Sequence, residues 1–189
     1  MRILMLGNSF TYFHELPGIL SGLTGWEVVS NTKGGAYLSE QFDESSETGK
    51  RAMKLLREEK WDYVVLQEQS FYPVGNREGY LKSVRELSIL IRENGAVPVI
   101  YESWAYREGS RKLSGTGLTY AEMLEKMVIS CETAARENGA VLARVGEAFD
   151  GVRDVIGLYE ADDYHPAEAG SAIAAGVIRR SIEEHAAGK

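Results

Sequence analysis

Thiols are nearly absent from this chain: Cys131 is the only cysteine in 189 residues. An intrachain disulfide is therefore excluded, as is a zinc site built from thiolates. Cys131 falls on the apolar side of an expected helix and reads as a small core residue. Long apolar runs are also missing. Nothing approaches the roughly 18–20 consecutive apolar residues of a membrane-spanning helix. The amino-terminal apolar stretch is too short for a secretory leader and runs straight into the folded pattern. Positive charge is in short supply, with 21 Lys and Arg against 28 Asp and Glu and a net charge of −7. Such a balance repels phosphate backbones and anionic membranes, so neither nucleic acid nor membrane is an expected partner. Asp162, Asp163 and Glu68 could gather near a cation, but histidine and carboxylate spacing makes no recognisable ligand set, and no metal or cofactor is implied. The expectation is a soluble cytoplasmic protein.

What is present suits one globular domain over residues 1–189, long enough to bury a core without staples. Ile3 to Leu6 is an unbroken apolar run that stops at Gly7-Asn8-Ser9. Short apolar runs bounded by turn residues read as strands buried on both faces, the kind found in parallel sheets. Phe10 to Leu23 has helical apolar spacing weakened by Pro17, Gly18 and Gly22, so a short, irregular helix is expected. Trp26–Val29 is the second strand, with Asn31 to Gly35 read as turn. Residues 36–46 read as loop or short helix, and Gly49 to Lys60 as helix. Trp61–Leu66 is the third strand, and residues 77–94 form a helix stopped by Asn94-Gly95. Ala96–Tyr101 is the fourth strand, followed by a long polar connection, 102–117, and a helix over 119–138. Val141–Ala143 is the fifth strand, 145–161 is less regular, and the last helix runs from Ala167 to about His185. Strands alternating with helices predict a three-layer α/β/α fold around a five-stranded parallel sheet, in the flavodoxin-like order 2-1-3-4-5.

In that topology four polar clusters gather at the carboxyl edge of the sheet, where open α/β folds place ligands. They are Asn8-Ser9, Gly34-Gly35, Gln67-Glu68-Gln69 and Asp162-Asp163-Tyr164-His165. Each has a plain structural alternative. Asn8 or Ser9 could cap the next helix, and the glycines could serve a turn. The amides could satisfy loose backbone groups, and the last cluster could be a solvated loop before Pro166 at a helix entry.

Together the clusters resemble the motif blocks of the SGNH hydrolases, the family that includes GDSL-type lipases and esterases. Gly7-Asn8-Ser9 is similar to the first block, Gly35 (or Gly34) to the second, and Asp162-x-x-His165 to the last. The resemblance spans residues 3 to about 176, and Gly-Asn-Ser-Phe-Thr with Val-Val-Leu-Gln-Glu-Gln-Ser is similar to a bacterial branch of undefined substrate. It implies Ser9 as nucleophile, His165 as base, Asp162 as the group orienting it, and no cofactor. Of the other histidines, His14 is expected on the helix after Ser9 and His185 at a carboxyl-terminal helix end. The resemblance further implies an oxyanion hole from the N–H groups of Ser9 and Gly35 and a side-chain amide. Two departures stand out. Asn8 replaces the family's aspartate, and the Gly-x-Asn-Asp block is replaced by Gln67-Glu68-Gln69-Ser70. A Gln carries the Asn amide on one more methylene, and either Gln69 or Gln67 could supply it.

Asn8, Glu68 and Trp104 are expected substrate-binding residues, and the aromatics on the loops after the third and fourth strands could stack on sugar rings. The expected activity is hydrolysis of small acyl, most simply acetyl, esters, with a small-molecule or glycan ester as substrate. Two rival readings remain: a flavodoxin-like protein holding a phosphate or nucleotide at a helix amino terminus, and a non-catalytic glycan-binding relative. The first leaves Asp162 and His165 without a task and lacks the glycine spacing of nucleotide cradles.

Overall fold

Strand β1, Arg2–Gly7, lies at the centre of the fold, and its residues face alternately into two cores. Ile3 and Met5 join the cluster formed with Leu16, Leu20, Ile178 and Ile182 on one side. Leu4 and Leu6 join Met53, Leu56, Val84, Leu87 and Ile91 on the other. A period of two with both sets apolar is what a doubly covered parallel strand requires. The computed structural model describes residues 1–188 and has a five-stranded, all-parallel sheet in the order β2-β1-β3-β4-β5. The other strands are β2, Glu27–Thr32, β3, Tyr63–Leu66, β4, Val97–Glu102, and β5, Val141–Arg144. Helices pack on both faces, which gives the expected three layers.

The helices in chain order are α1, Ser9–Tyr12, α2, Leu16–Thr24, α3, Glu47–Glu58, α4, Tyr72–Gly75, α5, Arg77–Asn94, α6, Arg111–Ser114, α7, Tyr120–Glu137, α8, Val145–Val152, and α9, Glu168–Ala187. The long ones start where the sequence supplies caps. Asn76 accepts from the Gly79 N–H at the head of α5, and Thr119 with Glu122 forms a capping box at α7. Gly95 closes α5 in the left-handed conformation, φ 91°. No helix among the described residues is long and apolar enough to cross a membrane.

Several expected boundaries move. Strand β2 continues through Asn31 and Thr32, because pairing with Leu6 and Gly7 of β1 outweighs their turn preference. Residues 145–152 are helical, not irregular, with Val145 and Phe149 buried on one side. The helix expected over 10–23 is two helices, α1 and α2, joined at His14 (φ 51°) and Glu15 (φ 54°). Pro17 in the first turn of α2 has no N–H to lose there, and it marks the restart.

Register aligns the strand ends that carry the polar clusters. Gly7 pairs with Thr32 and Leu6 with Leu66, so the chain leaves β1, β2 and β3 at one level. β1 is also where the order reverses, with β2 on one side and β3 on the other. Loops diverging from such a point leave a crevice.

Candidate active site

Ser9 is the first residue of α1, directly beyond the end of β1. Gly7 permits this turn by its size. A Cβ there would lie 2.4 Å from Thr11 Oγ1 and 2.7 Å from Gln67 Oε1. Asn8 caps the helix, its Oδ1 accepting from Phe10 N–H at 3.1 Å, while its Nδ2 donates to the Ala36 carbonyl at 2.9 Å. The amide thus ties the loop after β2 to the nucleophile turn. An aspartate could make the first bond but not the second.

Ser9 Oγ lies 2.8 Å from His165 Nε2, and His165 Nδ1 lies 2.6 Å from Asp162 Oδ2. The other Asp162 oxygen accepts from the backbone N–H groups of His165 at 3.0 Å and Tyr164 at 3.2 Å. Partial burial works to raise the Asp162 carboxyl, but the bonds from the His165 side chain and from the two backbone N–H groups outweigh it and hold it below its ordinary range. An ionised Asp162 favours the tautomer with the proton on Nδ1, leaving Nε2 basic toward Ser9.

The loop that carries this pair is braced from several sides. Tyr159 and Pro166 bridge its base, Glu160 N–H donates to the His165 carbonyl, and Arg107 N–H donates to the Asp163 carbonyl. Asp163 adopts φ 67°, and its carboxylate pairs with Arg107 at 3.0 Å. The Phe13 ring lies flat on the His165 ring, with centroids 4.3 Å apart and planes 2° apart. The break between α1 and α2 is what frees Phe13 for this position. His14, expected on a helix, instead bonds Glu160 Oε1 at 2.7 Å and so touches the same loop.

Three residues with N–H donors, Ser9, Gly35 and Gln69, line the same cleft. Ser9 heads α1, where backbone N–H groups have no intrahelical acceptor. Lys33 to Ala36 form a tight turn closed by Ala36 N–H to the Lys33 carbonyl, with Gly35 at φ 70°. The N–H of that third turn position is not consumed by the turn. Gly34 lacks the positive φ, which separates the two glycines. Gln69 Oε1 accepts from Phe71 N–H at 2.9 Å and Tyr72 N–H at 3.0 Å. The carbonyl end is therefore fixed, and the NH₂ end, with only a 3.4 Å contact to Ser70 Oγ, is available to the cleft that Gln69 lines.

That cleft is about 360 Å³ and includes Ser9, His165, Gly34, Gly35, Gln69, Tyr12, Phe13, Tyr164 and Lys112. Three expected residues lie elsewhere. Gln67 is fully buried, its Oε1 accepting from Asn8 N–H and Thr11 Oγ1, each at 2.9 Å, and its Nε2 donating to the Glu68 carbonyl. It is a brace beneath the turn, so between the two glutamines only Gln69 reaches the cleft. Glu68 is buried too; one carboxylate oxygen accepts from Leu38 N–H at 3.0 Å and Gln69 N–H at 2.7 Å, and the other has no hydrogen-bond partner among the described residues. Desolvation raises its carboxyl to about 7, against the lowering effect of those two bonds. Trp104 is sandwiched between Phe10 (4.5 Å) and Phe149 (4.1 Å), and its indole N–H donates to the Tyr164 carbonyl at 3.0 Å. It holds the histidine loop from behind. Asn8, also expected to bind substrate, borders the cleft but spends both ends of its amide on backbone.

Sequence reasoning missed Tyr12, Phe13 and Lys112 as cleft residues, and it placed Tyr164 in the fourth polar cluster without giving it a role. Pro17 was the available signal for Phe13, since a proline that starts a second helix ends the first before it. Nothing in the local pattern marks Lys112.

A strand-turn-helix serine, a histidine–carboxylate pair before the last helix and a cleft at the topological switch point define a hydrolase of the α/β/α type. A structure from Slackia heliotrinireducens, described as a candidate SGNH hydrolase, is 39% identical, with a TM-score of 0.91 over 96% of this chain and 98% of that one. The chain belongs to the SGNH hydrolase family. The fold is shared with a DUF4886 family protein from Bacteroides uniformis, 21% identical with a TM-score of 0.73 over 97% of this chain and 83% of that one. It is shared also with an acetylxylan esterase from Geobacillus stearothermophilus, 16% identical with a TM-score of 0.70 over 96% and 93%. No family model matches the sequence, and no curated protein matches it.

Proposed function

We propose that this protein is a serine esterase that hydrolyses small acyl esters, most simply acetyl esters carried on a carbohydrate, in the cytoplasm. The observation that carries the reading is the unbroken hydrogen-bonded series from Ser9 Oγ through His165 to Asp162, at 2.8 and 2.6 Å. In the first step Ser9 Oγ attacks the ester carbonyl while Nε2 removes its proton, and the imidazolium is stabilised by ionised Asp162. The negative charge that develops on the carbonyl oxygen is met by the N–H groups of Ser9 and Gly35 and by the Gln69 amide. Collapse expels the alcohol, which takes the proton from Nε2. Water then repeats the sequence on the acyl-enzyme and releases the acid.

The cleft at Ser9 is lined by polar side chains, glycines and aromatic rings and, among the described residues, by no aliphatic side chain, which favours a short acyl group over a fatty chain. Tyr12, which is 41% exposed, gives the cleft a ring against which a sugar can stack. The fold shared with an acetylxylan esterase agrees with this reading. The test is a chain-length series of 4-nitrophenyl esters from acetate to octanoate, on wild type and Ser9→Ala, with a fluorophosphonate probe on both. Turnover should be highest for the shortest acyl groups, should fall by at least about 10⁴-fold in Ser9→Ala, and the probe should label only wild type. Ester turnover that survives in Ser9→Ala would falsify the reading.

A further inference from the structure

The cleft at Ser9 does not end at Gln69. A second groove of about 590 Å³, bordered by Phe71, Tyr106, Arg111, Lys112, Gly115 and Thr116, shares Gln69 and Lys112 with it. With two lining residues in common, they make one path of surface from Ser9 to Arg111 and Lys112 of α6. Its charge is opposite to that of the whole protein. A chain with 28 acidic residues and a net charge of −7 lines this path with Arg111 and Lys112 and with no carboxylate. The nearby acids are already engaged, Asp162 with His165 and Asp163 with Arg107.

Lys112 is held by rings and pairs with no carboxylate among the described residues. Its Nζ lies 4.2 Å from the centroid of the Tyr164 ring and 5.5 Å from that of Tyr106. Ring faces attract an ammonium through their quadrupole but leave its full charge free for an anion. Tyr164 is the neighbour of His165 and lines the same cleft, so the charge sits at the mouth of the reaction site. Ser110 fixes the start of α6 by accepting from Leu113 N–H at 3.0 Å.

We infer that the ester taken by this site carries an anionic group, a carboxylate or an equivalent oxyanion, which Lys112 binds with Arg111 beside it while the ester carbonyl lies at Ser9. The inference rests on the esterase reading and narrows its substrate class. The charge can belong to the alcohol part or to the acyl part, and two substrate pairs distinguish them. One pair is 4-acetoxybenzoate and its methyl ester. The other is mono-4-nitrophenyl glutarate and 4-nitrophenyl pentanoate.

In at least one pair the charged member should have a kcat/KM about fivefold above its neutral partner, the scale of one partly exposed ion pair. Lys112→Met should bring that ratio close to one, and Lys112→Arg should keep it. A wild-type ratio near one in both pairs overturns the inference, and so does a preference that persists in Lys112→Met. If no ester in either pair turns over, the esterase reading itself falls. The groove is then judged by binding of 4-hydroxybenzoate against methyl 4-hydroxybenzoate. A preference for the carboxylate that is lost in Lys112→Met sustains the anion site, and equal binding rejects it.

Discussion

The two halves of the site are built differently. The nucleophile half, Asn8, Ser9, Gly35 and the Gln67–Gln69 stretch, sits on the ends of three adjacent strands. Asn8, Gln67 and Glu68 are buried there and bonded largely to backbone, while Gln69 is half-buried and Gly35 exposed. The base half is a loop whose Asp162 side chain is 43% exposed and whose His165 is steadied by rings: Phe13 in front, Phe10 at the edge and Tyr164 alongside. Buried amide networks fix geometry because breaking one member leaves its partners unpaired in a low dielectric. Stacked rings exclude water and limit rotation, and exchanging one ring for another keeps most of that packing. Substitutions of the bracing amides in the first half should therefore be severe and specific, and exchanges among the rings around His165 graded.

The sharpest test within the first half compares the two glutamines. Gln69→Ala should lower kcat by about 10²–10³-fold, as loss of one oxyanion donor does, with a smaller fall in Tm than Gln67→Ala, because the Phe71 and Tyr72 N–H groups that lose its Oε1 are only part-buried. Gln67→Ala should instead lower Tm markedly, because Asn8 N–H and Thr11 Oγ1 both lose their buried acceptor. Equal effects of the two on kcat and Tm would mean that the division between donor and brace is wrong.

A smaller effect separates the halves by pH. Glu68 is raised to about 7 in the folded protein, chiefly by desolvation, so between its ordinary value of 4.5 and 7 the folded state holds a proton that the unfolded chain has released. Stability then falls as pH rises through that window, by at most about 3 kcal/mol for this one group. Asp162 has the opposite sign. Its folded-state carboxyl is lowered, so its contribution is present above the ordinary carboxylate value and is lost as pH falls through the lowered one. In urea titrations at pH 5 and pH 7, Glu68→Gln should flatten the alkaline loss and Asp162→Asn should not. Identical slopes for wild type and Glu68→Gln would remove the buried carboxylate as its cause.

The sheet was legible because β1, β3 and β4 are apolar runs with polar stops, and period and punctuation suffice for that. Ser9, Asp162 and His165 were singled out because their clusters gather at one edge of the sheet and resemble the motif blocks of the SGNH hydrolases. The structure brings the three together, and their chemical roles rest on the proposal above. Burial of polar side chains was not legible. Gln67, Glu68 and Trp104 stand in stretches that read as exposed loop, and only tertiary packing turns them inward. Gln67 and Gln69 have identical side chains two residues apart, and what separates them is which one meets backbone N–H groups from its own loop. The α1–α2 break was half legible: Pro17 signalled it and His14 is of a type enriched at positive φ, but the positive φ of Glu15 has no signature in its residue type.

Trp104 offers the mildest test of the graded half. Trp104→Phe keeps a ring between Phe10 and Phe149 but removes the indole N–H that holds the Tyr164 carbonyl. One net hydrogen bond amounts to about 1 kcal/mol. If that bond sets the height of the histidine loop, kcat should drop about fivefold with KM nearly unchanged. The cost should fall on kcat because a misplaced imidazole hinders proton transfer and leaves ester binding intact. A fall in Tm with kcat untouched would show that the stacked rings alone position His165. The aromatic bracing of the loop would then be sufficient without its one hydrogen bond to the core.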